Sequence, residues 1–278
     1  MLSGVGNLTS KMEAKLSELI KKKILPWKKV IYIIMSHTDD EHGMSGLIYR
    51  LAKAGHRVII IVTTRSDDDE MWAKRQAEMT RAGAILGIKA DDIHYLGEPH
   101  GKLEVTATVQ DEFSEFLNYL PMPDVVFCHS PIDIHPDHRA TALLAMRKYF
   151  GPGVNVPFFL FALNSATWRH QNVMPQTLGF YPTHYCTIPF KVVKIMRQAD
   201  ACHVSQNGTE VNSMFRGVEL SLRSRGAEAG GKTYAEGFMY ITPYGAPPYW
   251  LTERYLRPYK QSQRGVPFKA RKPPTVPD

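Results

Sequence analysis

A three-layer α/β sandwich built on a mostly parallel sheet is the fold this sequence predicts, and three observations carry the prediction. Two apolar runs of strand length, Val30–Met35 and Val58–Val62, are rich in β-branched residues, as suits strands covered on both faces. Segments with helical apolar spacing alternate with such runs. The connections between them are short, which favours parallel strands crossed over by helices. No internal repeat or linker divides residues 30–251, which read as one domain between a basic extension (1–29) and a basic, proline-containing arm (252–278).

The elements follow in order. After the first strand, Met44, Leu47, Ile48, Leu51 and Ala52 mark one helical face, and Gly55 stands where a C-terminal cap belongs. Val58–Val62 is the second strand. A charged helix over about Met71–Leu86 is closed by Gly87, and Ile93–Leu96 is a short third strand. Val109, Phe113, Phe116, Leu117 and Leu120 mark the next helix, before a strand at Asp124–Cys128 and a helix over about Asp137–Phe150. Then come a strand at Phe158–Leu163, a helix near Lys191–Cys202, and another carrying Val211, Met214, Phe215, Val218 and Leu222. The arrangement is Rossmann-like. Outside it, Lys11–Leu25 reads as an amphipathic helix, and the last stretch, with Pro267, Pro273, Pro274 and Pro277, as an extended arm.

Composition narrows the class. With 44% hydrophobic and 22% charged residues over 278 positions, the chain is globular rather than wholly disordered. Its longest apolar runs fall far short of the ~20 residues that cross a bilayer. The N-terminus lacks the pattern of a secretory signal. Three cysteines (Cys128, Cys186, Cys202) without a CxxC pair point to reduced thiols and a cytoplasmic protein. The net charge of +7 is concentrated at the ends, +5 in residues 1–29 and +5 in 252–278, so the body carries −3. A nucleic-acid partner, which requires a basic folded face, is therefore not expected.

Chemistry enters where the first strand ends. Ser36-His37-Thr38-Asp39-Asp40-Glu41 opens a helix at the carboxyl edge of the sheet, where open α/β sheets bind ligands. His37 and Asp40 lie three residues apart across a turn, a pairing suited to a borderline cation such as zinc. Helix capping accounts for one acid here, but not for His37 beside three. A second cluster, His135-Pro136-Asp137-His138-Arg139, follows another buried strand and opens another helix. Two such clusters at equivalent strand ends favour a hydrolytic metal site with three protein ligands and an open position.

Together Ser36–Glu41 and His135–His138 resemble the signature motifs of the PIG-L/LmbE-like zinc-dependent N-deacetylases, usually AHPDDE and HPDH. Arg75-Gln76-Ala77-Glu78, His203-Val204-Ser205-Gln206 and Tyr234-Ala235-Glu236-Gly237-Phe238 resemble later family elements, so the likeness runs from about Ile31 to Phe238. The resemblance implies a deacetylase domain over 30–251 that removes an acetyl group from an N-acetylglucosamine-type conjugate. It implies zinc held by His37, Asp40 and His138, with Asp39 as general base. It implies a charged His135, oriented by Asp137, beside the oxyanion, and Arg75 paired with Asp39. The implied partners are a small-molecule amino sugar and, at most, further copies of the chain, with no integral membrane association.

Thr38 stands where the family has proline, and the charged loop Thr63–Glu70 replaces its glycine-containing acidic turn. That loop and Glu98–Gly101 flank the sheet edge, making Arg65 and His100 candidate substrate contacts. Isolated histidines (His56, His94, His129, His184) read as structural. Gly226–Thr233 matches the phosphate-binding pattern GxxxxGK[ST], yet it follows a helix and precedes a strand-like stretch, the reverse of what a phosphate loop needs. It reads as a Gly-rich turn. The alternatives to the deacetylase are a zinc amidase for another amide, a P-loop nucleotide binder and a non-catalytic sugar-binding module.

Overall fold

The computed structural model describes residues 28–151, 154–163, 180–206, 213–231, 234–241 and 246–259. Eight strands form one sheet: β1 (Val30–Met35), β2 (Arg57–Arg65), β3 (Ile93–Pro99), β4 (Val125–His129), β5 (Phe158–Phe161), β6 (His184–Ile188), β7 (Tyr234–Tyr240) and β8 (Arg257–Pro258). Their order is β3-β2-β1-β4-β5-β7-β6-β8. β1 to β5 pair in parallel, and β7 runs antiparallel to both β5 and β6. The sheet is thus mixed, with its parallel half on the site-bearing side.

Among the described residues seven α-helices accompany it: α1 (Ser45–Lys53), α2 (Asp69–Leu86), α3 (Ala107–Asn118), α4 (Pro136–Tyr149), α5 (Phe190–Asp200), α6 (Ser213–Glu228) and α7 (Tyr249–Arg254). Strand residues alternate between two cores. Ile31, Ile33 and Met35 join one with Leu47 and Leu51 of α1, Met79 of α2 and Val193 of α5. Tyr32 and Ile34 join the other with Phe113 of α3 and Leu144 of α4. Burial on both faces is why β1 is apolar throughout, and each fully buried isoleucine contributes about 1.5–3 kcal/mol.

Helix ends obey local chemistry. Gly55 and Gly87, both at φ 86°, end α1 and α2 in the left-handed conformation. Asp68 caps α2 by accepting from Met71 N at 2.6 Å, and Thr106 caps α3 by accepting from Val109 N at 3.2 Å. α1 has no such local cap. Glu236 on β7 supplies one, accepting from Gly46 N at 2.7 Å and Leu47 N at 2.8 Å. Burial pushes the Glu236 carboxyl up to about 8, against the pull of those two amides.

Some elements differ from expectation. β2 runs on to Arg65 because Thr63 and Thr64 bury their hydroxyls on Thr141 and on the Ser36 carbonyl. β6, α7 and β8 were not foreseen, since five- and two-residue strands and a six-residue helix are too short to set a period. Residues 226–228, expected as a turn, are the last residues of α6, and the chain then turns at Gly230 into β7. That order, helix to strand, is the opposite of a phosphate loop; Lys232 and Thr233 lie outside the described residues. So do Lys11–Leu25, Val211 and the proline-rich arm. No helix among the described residues is long and apolar enough to cross a membrane.

From β1 the chain first builds outward through β2 and β3, then returns to add β4 and β5 on the other side. The loops leaving β1 and β4 therefore diverge at adjacent strand ends and open a crevice.

Candidate metal centre

Both histidine clusters meet in that crevice. The β1–α1 loop folds through a short 3-10 turn, Asp40–Gly43, which points the Asp40 carboxylate back at the end of β1. Asp40 Oδ2 accepts from Ser36 N at 3.1 Å and His37 N at 2.7 Å, and lies 3.0 Å from His129 Nε2 at the end of β4. Ser36 N–H also sits 3.0 Å from that Nε2. The proton belongs on Nε2, because a lone pair there would face a carboxylate oxygen.

Donor atoms of three residues converge. His37 Nδ1 lies 3.2 Å from His138 Nε2 and 3.3 Å from one Asp40 oxygen, Oδ2, while His138 Nε2 lies 3.4 Å from the other, Oδ1. Ligands on a tetrahedral zinc at about 2.0–2.1 Å stand about 3.3 Å apart, so each separation matches a ligand–ligand edge, the two Asp40 edges running through different oxygens. His135 groups with His37 and His138, and His129 with Asp40 and His138, the ligand atoms of each set lying within 4.8 Å of one another.

The far sides of both rings meet carboxylates. His37 Nε2 is 3.1 Å from Asp137 Oδ2, and His138 Nδ1 is 3.3 Å from Asp133 Oδ1. These carboxylates hold the outer ring protons, so that the two facing nitrogens can offer lone pairs to an ion that displaces their own protons. Such carboxylate–histidine pairs orient metal ligands. Lone pairs this close repel unless a cation lies between them, so the residues fit a divalent metal. The surrounding carboxylates favour positive charge here: burial would lower His37 and His138, yet Asp40 and its neighbours outweigh it and, with protons in place of an ion, raise them to about 10 and about 9. Burial would raise Asp137, but bonds from His37, Gly101 N and Leu103 N hold it down at about 2.

Asp39 and Asp40 are driven apart. Burial and the Asp40 charge raise Asp39 above the usual carboxylate range. Burial would raise Asp40 too, but His138, His37 and His129 hold it well below that range. Adjacent carboxylates split in this way suit one as a permanent anion and the other as a proton acceptor. The Gln206 amide, oriented by its neighbours, donates to Asp39 Oδ2 at 2.9 Å and Oδ1 at 3.1 Å and accepts from Thr38 Oγ1 at 3.2 Å.

The remaining candidates are distributed as follows. His135 is the N-cap of α4, and its Nδ1 accepts from Asp137 N at 3.2 Å. Asp137 thus meets His135 through its backbone, while its carboxylate serves His37, Gly101 N (2.7 Å) and Leu103 N (3.2 Å). Burial and the neighbouring His37 lower His135, so it is a neutral imidazole carrying its proton on Nε2 rather than a standing cation. The expectation of Asp137 as its side-chain partner gives way to this arrangement, because the α4 N-terminus takes Nδ1 first. The half-buried Arg75 shows no ion pair with Asp39 among the described contacts; Gln206 takes that place. His100 lies at the rim, its ring 4.7 Å from that of His37. Arg65 pairs with Asp69 and lies over Trp72, 5.9 Å from the ring centre, so its head group is already engaged.

Sequence reasoning missed Asp133, His129 and Gln206 as parts of the site. Asp133 stood two residues before His135, close enough to have been considered. His129 closes a strand next to Cys128, where its surroundings look purely structural. Gln206 belongs to an element whose anchoring emerges only in three dimensions: His203 Nε2 lies 2.6 Å from Glu41 Oε1, Ser205 Oγ donates to Glu78 Oε2 at 2.6 Å, and Gln206 reaches Asp39.

Residues 32–149 match the family model described as PIG-L, GlcNAc-PI de-N-acetylase. No curated protein sequence matches the chain significantly. Among solved structures, N,N'-diacetylchitobiose deacetylase from Pyrococcus horikoshii is similar at 21% identity and a TM-score of 0.64, over 90% of this chain and 98% of that one. The 4-carboxy-2-hydroxymuconate hydratase of Pseudomonas putida is similar at 16% and 0.60, over 79% and 99%. A deacetylase of the teicoplanin biosynthesis pathway is similar at 16% and 0.57, over 77% and 100%. At these identities the likeness concerns the fold, and one fold here carries both deacetylases and a hydratase.

Proposed function

We propose that the chain, whose residues 32–149 match the PIG-L, GlcNAc-PI de-N-acetylase family model, is a metal-dependent N-deacetylase that hydrolyses the N-acetyl amide of an N-acetylglucosamine-type conjugate with zinc as its metal. The observation that carries the reading is the convergence of His37 Nδ1, His138 Nε2 and Asp40 within 3.2–3.4 Å, directly beside the proton-accepting Asp39.

His37, Asp40 and His138 would hold the ion. When bound, a divalent cation polarises a carbonyl oxygen and makes water a stronger acid near neutral pH. Asp39 takes the proton from the attacking water, its carboxylate aimed by Gln206. His135 Nε2–H donates to the carbonyl oxygen as negative charge develops there. The proton held by Asp39 then passes to the departing nitrogen, since an amine leaves poorly unless protonated. His100 at the rim is the proposed contact for the sugar. The unpaired Cys128, Cys186 and Cys202 favour a cytoplasmic setting.

The hydratase fold-relative does not shift this reading, because function follows the site, and a Lewis-acid centre beside a carboxylate base suits amide hydrolysis. A binding module would have no need of Asp39 and its Gln206 support. The test is primary-amine release from a panel of N-acetylglucosamine conjugates, comparing wild type with Asp39→Asn at defined zinc. Release by wild type and its loss in a zinc-replete Asp39→Asn establishes the reaction. Silence with zinc bound moves the assignment to another amide, such as a thiol-sugar conjugate. Silence without bound zinc overturns the catalytic reading.

A further inference from the structure

We propose that His129 is a positioning residue of the metal centre, holding Asp40 so that only Oδ1 is offered to the ion and fixing the plane of the His138 ring. The inference rests on the metal reading above and extends it to a residue that neither signature motif contains.

His129 closes β4 and is 0% exposed. Its Nε2–H reaches Asp40 Oδ2 at 3.0 Å, where Ser36 N–H (3.1 Å) and His37 N–H (2.7 Å) also arrive. A carboxylate oxygen has two lone-pair sites, and His37 N–H and His129 Nε2–H fill them, since Ser36 N–H is divided between Oδ2 and the His129 ring nitrogen 3.0 Å away. Oδ1 points instead to His138 Nε2, 3.4 Å away. The same imidazole lies flat on His138, with ring centroids 4.0 Å apart and planes within 2°. A second ring, Phe161, packs against His129 at 4.8 Å. One side chain therefore touches two of the three candidate ligands, one by hydrogen bond and one by stacking.

Packing alone does not account for a histidine here. His129 Nδ1 is buried with no hydrogen-bond partner, and an orphaned polar atom carries a desolvation cost that an apolar side chain of similar size avoids. The neighbouring strand residues Phe127 and Cys128 show that apolar side chains suit this strand. What the imidazole adds is one N–H at the correct height for Oδ2, together with a flat face for His138. Ligand-orienting partners of this kind affect metal affinity about 10–100-fold when removed.

The test uses the full chain and needs no substrate. Zinc affinity is measured by competition with a chromophoric chelator, and the coordination state by the visible absorption of the cobalt(II)-loaded protein. His129→Phe keeps the stacked ring and loses the N–H; His129→Gln keeps an N–H and loses the ring. Folding of each is checked by circular dichroism, and His129→Gln carries the test if His129→Phe does not fold. The expected result is zinc binding weakened about 10–100-fold in His129→Phe, with weaker cobalt absorption as the freed Oδ2 also coordinates, and partial recovery of both in His129→Gln. Folded variants with wild-type zinc affinity and an unchanged cobalt spectrum would overturn the proposal while leaving the metal reading intact. A wild-type protein that binds no zinc would overturn both.

Discussion

His203 Nε2 and Glu41 Oε1 lie 2.6 Å apart, both side chains essentially excluded from solvent, and tie the segment after α5 to the loop that carries Asp39 and Asp40. Burial would lower the His203 imidazole, but the Glu41 carboxylate raises it to about 9. A raised folded value stabilises the protonated form, so this contribution is complete below the unfolded value near 6.5 and is lost as pH rises through about 9. Thermal melts across that window should show wild type losing on the order of 3 kcal/mol that His203→Gln does not lose. Parallel pH profiles for the two proteins would refute the linkage.

Zinc should stabilise the fold, because its candidate ligands come from two loops that the unfolded chain does not hold together. At a hundredfold excess over Kd the gain is about 2.7 kcal/mol, seen as a rise in Tm that a chelator reverses. His138→Ala should abolish the rise. Asp133→Asn removes the carboxylate 3.3 Å from His138 Nδ1 and should weaken zinc binding about 10–100-fold.

Gln206→Leu should separate chemistry from metal binding. The lost amide aims Asp39 and touches none of the three candidate ligands in the described contacts. A hydrogen bond to a charged group is worth about 1.5–3 kcal/mol, so amine release should fall roughly ten- to hundredfold at unchanged zinc affinity. Equal loss of both would assign Gln206 a general structural role instead.

Gly46→Ala should destabilise without altering the site's chemistry. A Cβ there would stand 2.6 Å from Ile188 Cδ1 and 2.9 Å from Glu236 Oε1, at the point where Glu236 caps α1. Overpacking of this kind costs about 1–3 kcal/mol. Urea melts should show a lower midpoint at unchanged slope.

The parallel half of the sheet was legible because each of its signals is local. β1 and the helix ends at Gly55 and Gly87 follow from apolar period and from glycine's access to positive φ, and they lie where expected. The short β6, α7 and β8 had no such signal. Their existence depends on pairing with β7 and on packing against the body, not on their own sequence.

For the site, local pattern places a histidine–aspartate cluster at the end of each of two buried strands, since motif and strand are contiguous in the chain. That these strands are neighbours, and which group serves which, is set by the fold. Asp137 orients His37 across 100 positions, His129 meets Asp40 across 89, and Gln206 reaches Thr38 across 168. A carboxylate's partner is chosen by proximity in the fold, and proximity between residues so far apart is set by strand order and helix packing. Local pattern names the chemical groups; their pairing, and with it the split between Asp39 and Asp40, arises only when β1 and β4 lie side by side.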